Sequence, residues 1–552
     1  MKTLNRFFPK GLPKKLLWGA AAAAIAAGLS WFWSSRTTLI KRAPVNFIDP
    51  ADTHGRPLVR TDLGSVLGYV HQPGVLRFSR IPFAAPPVGT LRFRPPQPAL
   101  SWDGILDTRK PGPICIQRLT NENKDHPGGQ SEDCLSLTIS TPSLTEKRPV
   151  IVWLHGGGLA NGGNHNSTYD GANFVNRGDV VFVNLQYRVG ALGWLDVSPL
   201  DDDKTLPPGQ LDVVAGLEWV QRNIEQFGGD PDNITLMGES AGAYLTASLL
   251  VLPAAQPLFH KAILQSGVYD VWEIPADRRA LLQRVLTQTK ATTLDDLQQL
   301  SPQVLQKVEE DIHQFSLTKG WPGPMPWYRP RGVTQAALET VAQQGKPILH
   351  GTLNNEFHLF LLSYGNSEPY EQLFKGFLKS QGLSSTQLDS LVEQIRPVVS
   401  DRNEQDVLVD LISAIYMHYP HSIVSEHYGA NAPVYSYLIN WTTPNFPELG
   451  AMHALDLPLV FGNFENWTWA IGENPPQNLS RNMQDAWIAF AKTGNPNHQA
   501  IPPWPTYNSE NRSMMVFGEN QRETIRVVDD PLGWVRELGP RLNGMISSPS
   551  RE

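Results

Sequence analysis

The chain has 552 residues, 41% of them hydrophobic and 18% charged, a globular composition with ample length for a large core. Its net charge of -7 gives no reason to expect a nucleic-acid or acidic partner. No internal repeat and no low-complexity tract occurs outside the N-terminus.

Lys2, Arg6, Lys10, Lys14 and Lys15 form a basic N-terminus over residues 1–15, and an uncharged run follows from Leu16 to Trp33. As a helix this run spans roughly 27 Å, close to the ~30 Å hydrocarbon thickness of a bilayer. Trp18, Trp31 and Trp33 lie near its two ends, where interfacial aromatics sit. More positive charge precedes the run than follows it, so the N-terminus is expected to stay in the cytoplasm and the bulk of the chain to be exported. The length and the Trp-Phe-Trp ending predict an uncleaved transmembrane anchor over 16–33. A signal peptide cleaved among the small residues of Ala20–Ala27 is the alternative, and it would give a secreted protein. Residues 34–60 read as a tether, 61–540 as a single globular domain and 541–552 as a C-terminal tail.

Short strands and turns begin after Thr61, around Val66–Val70 and Val75–Phe78, and the proline-dense stretch 81–100 reads as irregular surface. The two cysteines, Cys115 and Cys134, flank a polar stretch rich in glycine and proline. They are either a disulfide closing a surface loop, which requires an oxidising compartment, or two unrelated thiols. Pro149–Leu154 and Val180–Leu185 read as buried strands. Val213, Val214, Leu217, Val220, Ile224 and Phe227 share one face of a helix over 211–227. Ile234–Met237 and Lys261–Leu264 are further strands. The polar, glutamine-rich region 272–345 is helical in pattern and is expected to pack outside the sheet. Pro347–His350 and Val434–Leu438 return to strand character, and 481–493 is a late helix. Strands alternating with helices, with no linker between them, predict one large α/β domain with a mostly parallel mixed sheet and helical insertions.

Gly238-Glu239-Ser240-Ala241-Gly242 falls between the strand 234–237 and a helix starting near Ala243. A serine between two glycines at such a junction is the pattern of a nucleophile elbow, although ordinary strand–helix turns share it. The turn is tight enough that side chains two before and two after the serine would collide, so both positions are glycine. It lifts the hydroxyl above the sheet edge and aims the Ala241 N–H toward an incipient oxyanion. Such a serine needs a base, a group to orient that base and oxyanion donors. Gly156-Gly157-Gly158 follows a strand upstream, where the other donors belong. An acid is expected near 350–360, and the base then lies among His418, His421, His427, His453 and His498.

Ordered blocks elsewhere sharpen this. They are Arg80-Ile81-Pro82-Phe83-Ala84, Ser131-Glu132-Asp133-Cys134-Leu135, His155-Gly156-Gly157-Gly158, Tyr187-Arg188-Val189-Gly190, Phe227-Gly228-Gly229-Asp230-Pro231, Gln265-Ser266-Gly267 and Phe490-Ala491-Lys492-Thr493-Gly494-Asn495-Pro496. From about Thr61 to Trp534 the chain resembles the type-B carboxylesterases, the family of cholinesterases and bacterial para-nitrobenzyl esterases. The resemblance implies an α/β-hydrolase fold and hydrolysis of a small-molecule carboxylic ester, with no metal or organic cofactor. It implies Ser240 as nucleophile, Glu356 as triad acid, His453 as base, and Gly157, Gly158 and Ala241 as oxyanion donors. It also implies a Cys115–Cys134 disulfide. Lipase, amidase or thioesterase chemistry on the same residues is the alternative reading. With an unshifted imidazole, activity is expected to fall near pH ~6–7. Phe357 stands where the family often has glycine, Leu159 where phenylalanine is frequent, and Val213 where glutamine is usual. The Cys115–Cys134 loop carries no tryptophan, which argues against choline esters as preferred substrates.

Overall fold

The computed structural model describes residues 47–49 and 53–546, apart from 121–122, 125, 202–205, 269–277, 319–334, 365–374, 377, 380–383 and 397–403. The basic N-terminus, the expected anchor at 16–33 and the first part of the expected tether lie outside the described residues. The strands, in chain order, are β1 (Phe47–Ile48), β2 (Leu58–Arg60), β3 (Ser65–Leu67), β4 (Tyr69–Gln72), β5 (Val75–Pro82), β6 (Ile105–Asp107), β7 (Ser136–Thr141) and β8 (Arg148–Leu154). They continue with β9 (Val181–Leu185), β10 (Gly229–Glu239), β11 (Lys261–Gln265), β12 (Ile348–Leu353), β13 (Val434–Trp441), β14 (Ser513–Asn520) and β15 (Arg522–Asp529).

Among the described residues, eleven strands form one sheet in the order β15-β14-β13-β12-β11-β10-β8-β9-β7-β5-β4. Its centre, from β9 to β14, is parallel, and the pairs at both edges are antiparallel. The alternation of side chains shows why the centre must be covered twice. Val150, Val152 and Leu154 of β8 enter one apolar cluster, while Ile151 and Trp153 enter the other on the opposite face. β10 divides likewise, with Ile234 and Leu236 on the first face and Met237 on the second. The helices Pro208–Asn223 and Ala241–Val251 cover the first face. The helices Ala172–Gly178, Asp456–Phe461 and Gln477–Thr493 cover the second.

The smaller sheet, β1-β6-β3-β2, corrects the expected tether over 34–60. Phe47–Ile48 pairs with β6, and Leu58–Arg60 pairs with β3. Burial of Val59 against the main core draws this stretch into the domain. At the other end the helix Gly533–Ile546 runs past residue 540, so the tail begins inside an ordered element. Helices Arg278–Thr289, Leu294–Gln298, Pro302–Thr318 and Gln335–Ala342 occupy the expected insertion. The span Asp406–Gly429 is long and apolar enough to cross a bilayer, yet it lies almost wholly inside the protein. The Cys115–Cys134 disulfide is formed.

Candidate active site

The elbow is closed by what its glycines lack. A Cβ on Gly238 would lie 2.3 Å from the Gly242 carbonyl, and one on Gly242 would lie 2.1 Å from the Leu154 oxygen of β8. Only a chain without those atoms can pass from β10 directly into the helix Ala241–Val251. Ser240 takes φ 52° and ψ -123°, a strained backbone for a residue with a side chain. Its N–H donates to the Gln265 carbonyl on β11 at 2.8 Å, which ties the bend to the neighbouring strand.

The glycine run after β8 abuts this bend. A Cβ on Gly156 would lie 3.1 Å from the Ser240 Cβ and 2.5 Å from Glu239 Oε2. Gly157 and Gly158 take φ 103° and 62°, and the Ala160 and Asn161 N–H groups fold back onto the Gly157 carbonyl. Gly157 is exposed and Gly158 and Ser240 are half-buried, so this junction is open to solvent. His155, at the start of the run, stacks on Tyr187 with ring centroids 4.3 Å apart. Tyr187 Oη donates to the His155 carbonyl at 2.6 Å.

Glu356 and His453 come from two other loops, after β12 and β13. They meet through side chain and backbone: His453 Nδ1 lies 2.6 Å from Glu356 Oε2, and the His453 N–H donates to the Glu356 carbonyl at 3.2 Å. The other carboxylate oxygen, Glu356 Oε1, accepts from the Leu353 N–H at 2.9 Å. Asn355 stitches the loops together, with its N–H donating to the Ala451 carbonyl at 2.9 Å and its Oδ1 accepting from the Ala451 N–H at 3.1 Å. Phe360 lies against the His453 ring with centroids 5.5 Å apart. Phe357, where the family often has glycine, is buried between Phe360 and Tyr416.

The sequence pattern did not single out Glu239 or Asp456. Glu239 Oε1 lies 3.3 Å from His453 Nε2, so the ring has a carboxylate at each nitrogen. Glu239 sits inside the pentapeptide, but its meeting with His453 is a tertiary event that no local pattern carries. Burial pushes the His453 pKa down, yet Glu356 and Glu239 outweigh it and raise the pKa to about 9. This overturns the expectation of an ordinary imidazole. Asp456, buried three residues after His453, is raised to about 6 by burial, against the hydrogen bond it accepts from Gln265 Nε2 at 2.5 Å. Gln265 Oε1 in turn accepts from Trp487 Nε1 at 3.0 Å. Of the other candidate bases, His418 and His421 are buried behind β12. His427 pairs with Glu339 at 2.7 Å, and His498 lies beside the Asn482 carbonyl at 3.1 Å.

Residues 55–530 match the carboxylesterase family as a whole. The chain is 34% identical over 495 residues to the para-nitrobenzyl esterase of Bacillus subtilis (strain 168), covering 86% of this chain and 96% of that protein. It is 33% identical over 499 residues to human cocaine esterase, covering 83% and 88%. Two solved structures, a PNB esterase and a carboxylesterase of Geobacillus stearothermophilus, superpose with TM-scores of 0.74 at 31% and 32% identity. Each covers 87% of this chain and 99% of its own. A serine bend on an α/β sheet, a glycine run against it and a match across nearly the whole described chain converge on one conclusion: the chain belongs to the carboxylesterase family and is a carboxylic-ester hydrolase.

Proposed function

We propose that the protein hydrolyses carboxylic esters through an acyl-enzyme formed on Ser240, with His453 as base and Glu356 as the acid that orients it. The observation that carries this reading is the 2.6 Å contact of His453 Nδ1 with Glu356, with Nε2 3.3 Å from the side chain of Glu239, the residue before Ser240. Neutral His453 takes the Ser240 proton as the hydroxyl attacks the ester carbonyl. The N–H groups of Gly157, Gly158 and Ala241 receive the oxyanion, each such donor contributing roughly 3–4 kcal/mol to the transition state. His453 then gives its proton to the departing alcohol, and water repeats the attack on the acyl group. With His453 raised toward 9, activity should climb through neutral pH into the alkaline range.

The relatives' names include para-nitrobenzyl esterase, cocaine esterase and phenmedipham hydrolase, which supports small and aromatic esters as the substrate class. The disulfide supports an exported protein. We assign the basic 1–15 segment to the cytoplasm, 16–33 to a membrane anchor and the esterase domain to the far side of the membrane. A fluorophosphonate probe tests the chemistry. It should label the peptide containing Ser240 one to one and abolish turnover of 4-nitrophenyl acetate, and Ser240→Ala should lose both label and turnover. Full turnover in folded Ser240→Ala would refute the nucleophile. An anchored domain should sediment with membranes, and recovery of the full chain in the soluble fraction would refute the anchor.

A further inference from the structure

The interface between β12–β13 and the helical span 404–429 is polar where the rest of that face is apolar. His350 and Thr352 of β12 point the same way as Ile348, which joins the main core. Facing them are His418 and His421, one helical turn apart. His350 Nδ1 lies 2.8 Å from His421 Nδ1, and His350 Nε2 lies 2.9 Å and 3.0 Å from the Ser425 and Ser436 hydroxyls. Thr352 Oγ1 lies 2.9 Å from His418 Nδ1.

The helix is reshaped to make these contacts. Pro420 has no N–H, so the Tyr416 carbonyl loses its α-helical donor. Tyr244 Oη, on the helix that starts at the nucleophile, donates to that carbonyl instead at 3.3 Å. Over Ala414–His418 the helix widens to a π-turn, and the Tyr419 N–H reaches back five residues to the Ala414 carbonyl. One extra residue rotates everything downstream by about 100°.

The His418 ring bonds to the segment that leads into Glu356. Its Nδ1 lies 2.9 Å from Thr352 Oγ1, and the Asn354 backbone beside the ring favours its charged form against burial. Thr352 directly precedes Leu353, whose N–H holds Glu356 Oε1 at 2.9 Å. Five residues before His418, Ser413 Oγ accepts from the Phe357 N–H at 3.0 Å, just past Glu356. A merely space-filling position would be served by an apolar side chain without desolvating an imidazole.

We propose that His418 is a positioning residue for Glu356: held against Thr352, it fixes the exit of β12 from which Glu356 aligns the His453 ring. This rests on the Ser240–His453–Glu356 reading given above. The titratable groups facing His418 are Glu356 and, along its own helix, His421, with His350 beyond. Those facing His453 are Glu356, Glu239 and Asp456.

The test uses the full chain and 4-nitrophenyl acetate. His418→Phe should lower kcat by about 10-fold or more, since a displaced catalytic group costs rate far more than binding. KM should stay within about 2-fold. The acid limb of kcat/KM should move down by about half a pH unit, because a misaligned Glu356 raises His453 less. His418→Gln, which both donates and accepts, should recover most of kcat and the limb. Thr352→Val removes a single hydrogen bond in a near-isosteric change. It should move kcat and the limb in the same direction, with no further loss when added to His418→Phe. A folded Thr352→Val with wild-type kcat and an unmoved limb overturns the proposal, even if His418→Phe does not fold. Glu356→Gln separates the two levels. If it keeps wild-type turnover the triad reading fails. If it is crippled while His418→Phe and Thr352→Val are unaffected, only the positioning role falls.

Discussion

Ser240 is held by a bend that missing atoms close: Gly238 against Gly242, Gly242 against β8, Gly156 against Ser240 itself. Its neighbours in space are largely its neighbours in sequence or on adjacent strands. Glu356 and His453 stand on separate loops joined by hydrogen bonds, from backbone to backbone and through the Asn355 and Glu356 side chains to Ala451 and His453. The serine side is therefore a backbone object, intolerant of any added carbon. The acid–base side is a hydrogen-bond object, sensitive to the identity of each donor and acceptor.

The contrast breaks most sharply at Glu356. Glu356→Gln keeps the shape but removes the charge and favours the wrong His453 tautomer, so turnover should fall by about 10³–10⁴-fold. Its circular dichroism and melting temperature should stay near wild type, and turnover within 10-fold of wild type would contradict a hydrogen-bonded acid. Gly242→Ala attacks the other side. Its Cβ would sit 2.1 Å from a backbone oxygen of β8, with nowhere to move. We expect a loss of about 3 kcal/mol or more in denaturant unfolding, or insolubility. A soluble, equally stable Gly242→Ala would show that the bend is looser than its geometry.

Paired Cys115→Ser and Cys134→Ser changes open a loop whose ends are 19 residues apart in sequence. Stability should fall by about 3 kcal/mol while kcat measured at low temperature is kept. A selective loss of kcat with unchanged stability would tie that loop to the chemistry. The smallest effect is the most specific. Glu239 raises the His453 pKa, so Glu239→Gln should move the acid limb of kcat/KM to lower pH by about one unit. An unmoved limb would mean that Glu239 and His453 do not interact in the working enzyme.

This contrast also explains what could be read from the chain. The elbow and glycine run were legible because their constraint is local: two glycines at fixed offsets around a serine between a strand and a helix. The parallel centre of the sheet was legible because its strands are apolar on both faces. His453 was one of five histidines by pattern, since its partners arrive from distant loops, and only the family resemblance singled it out. Glu239 was in plain view but mute, because its role depends on His453 arriving opposite it. The stretch before Thr61 read as a tether because its strands are only two and three residues long and their pairing partners lie downstream. The π-turn at 414–418 has a proline as its trace, yet a proline alone does not say which carbonyl another helix will satisfy.

The imidazoles sealed between the sheet and the 404–429 helix carry a consequence for where the enzyme can work. Burial pushes His350 down to about 3 and His421 well below its ordinary range. Their folded pKa values lie below the unfolded value near 6.5, so the stability they contribute is whole above that pH and drains as acidity rises. Each fully shifted ring costs about 1.4 kcal/mol per pH unit below 6.5. An acidified vacuole or a fermenting medium would titrate this seam from the unfolded side, so the fold itself would be lost there on top of the activity already lost to a protonated His453.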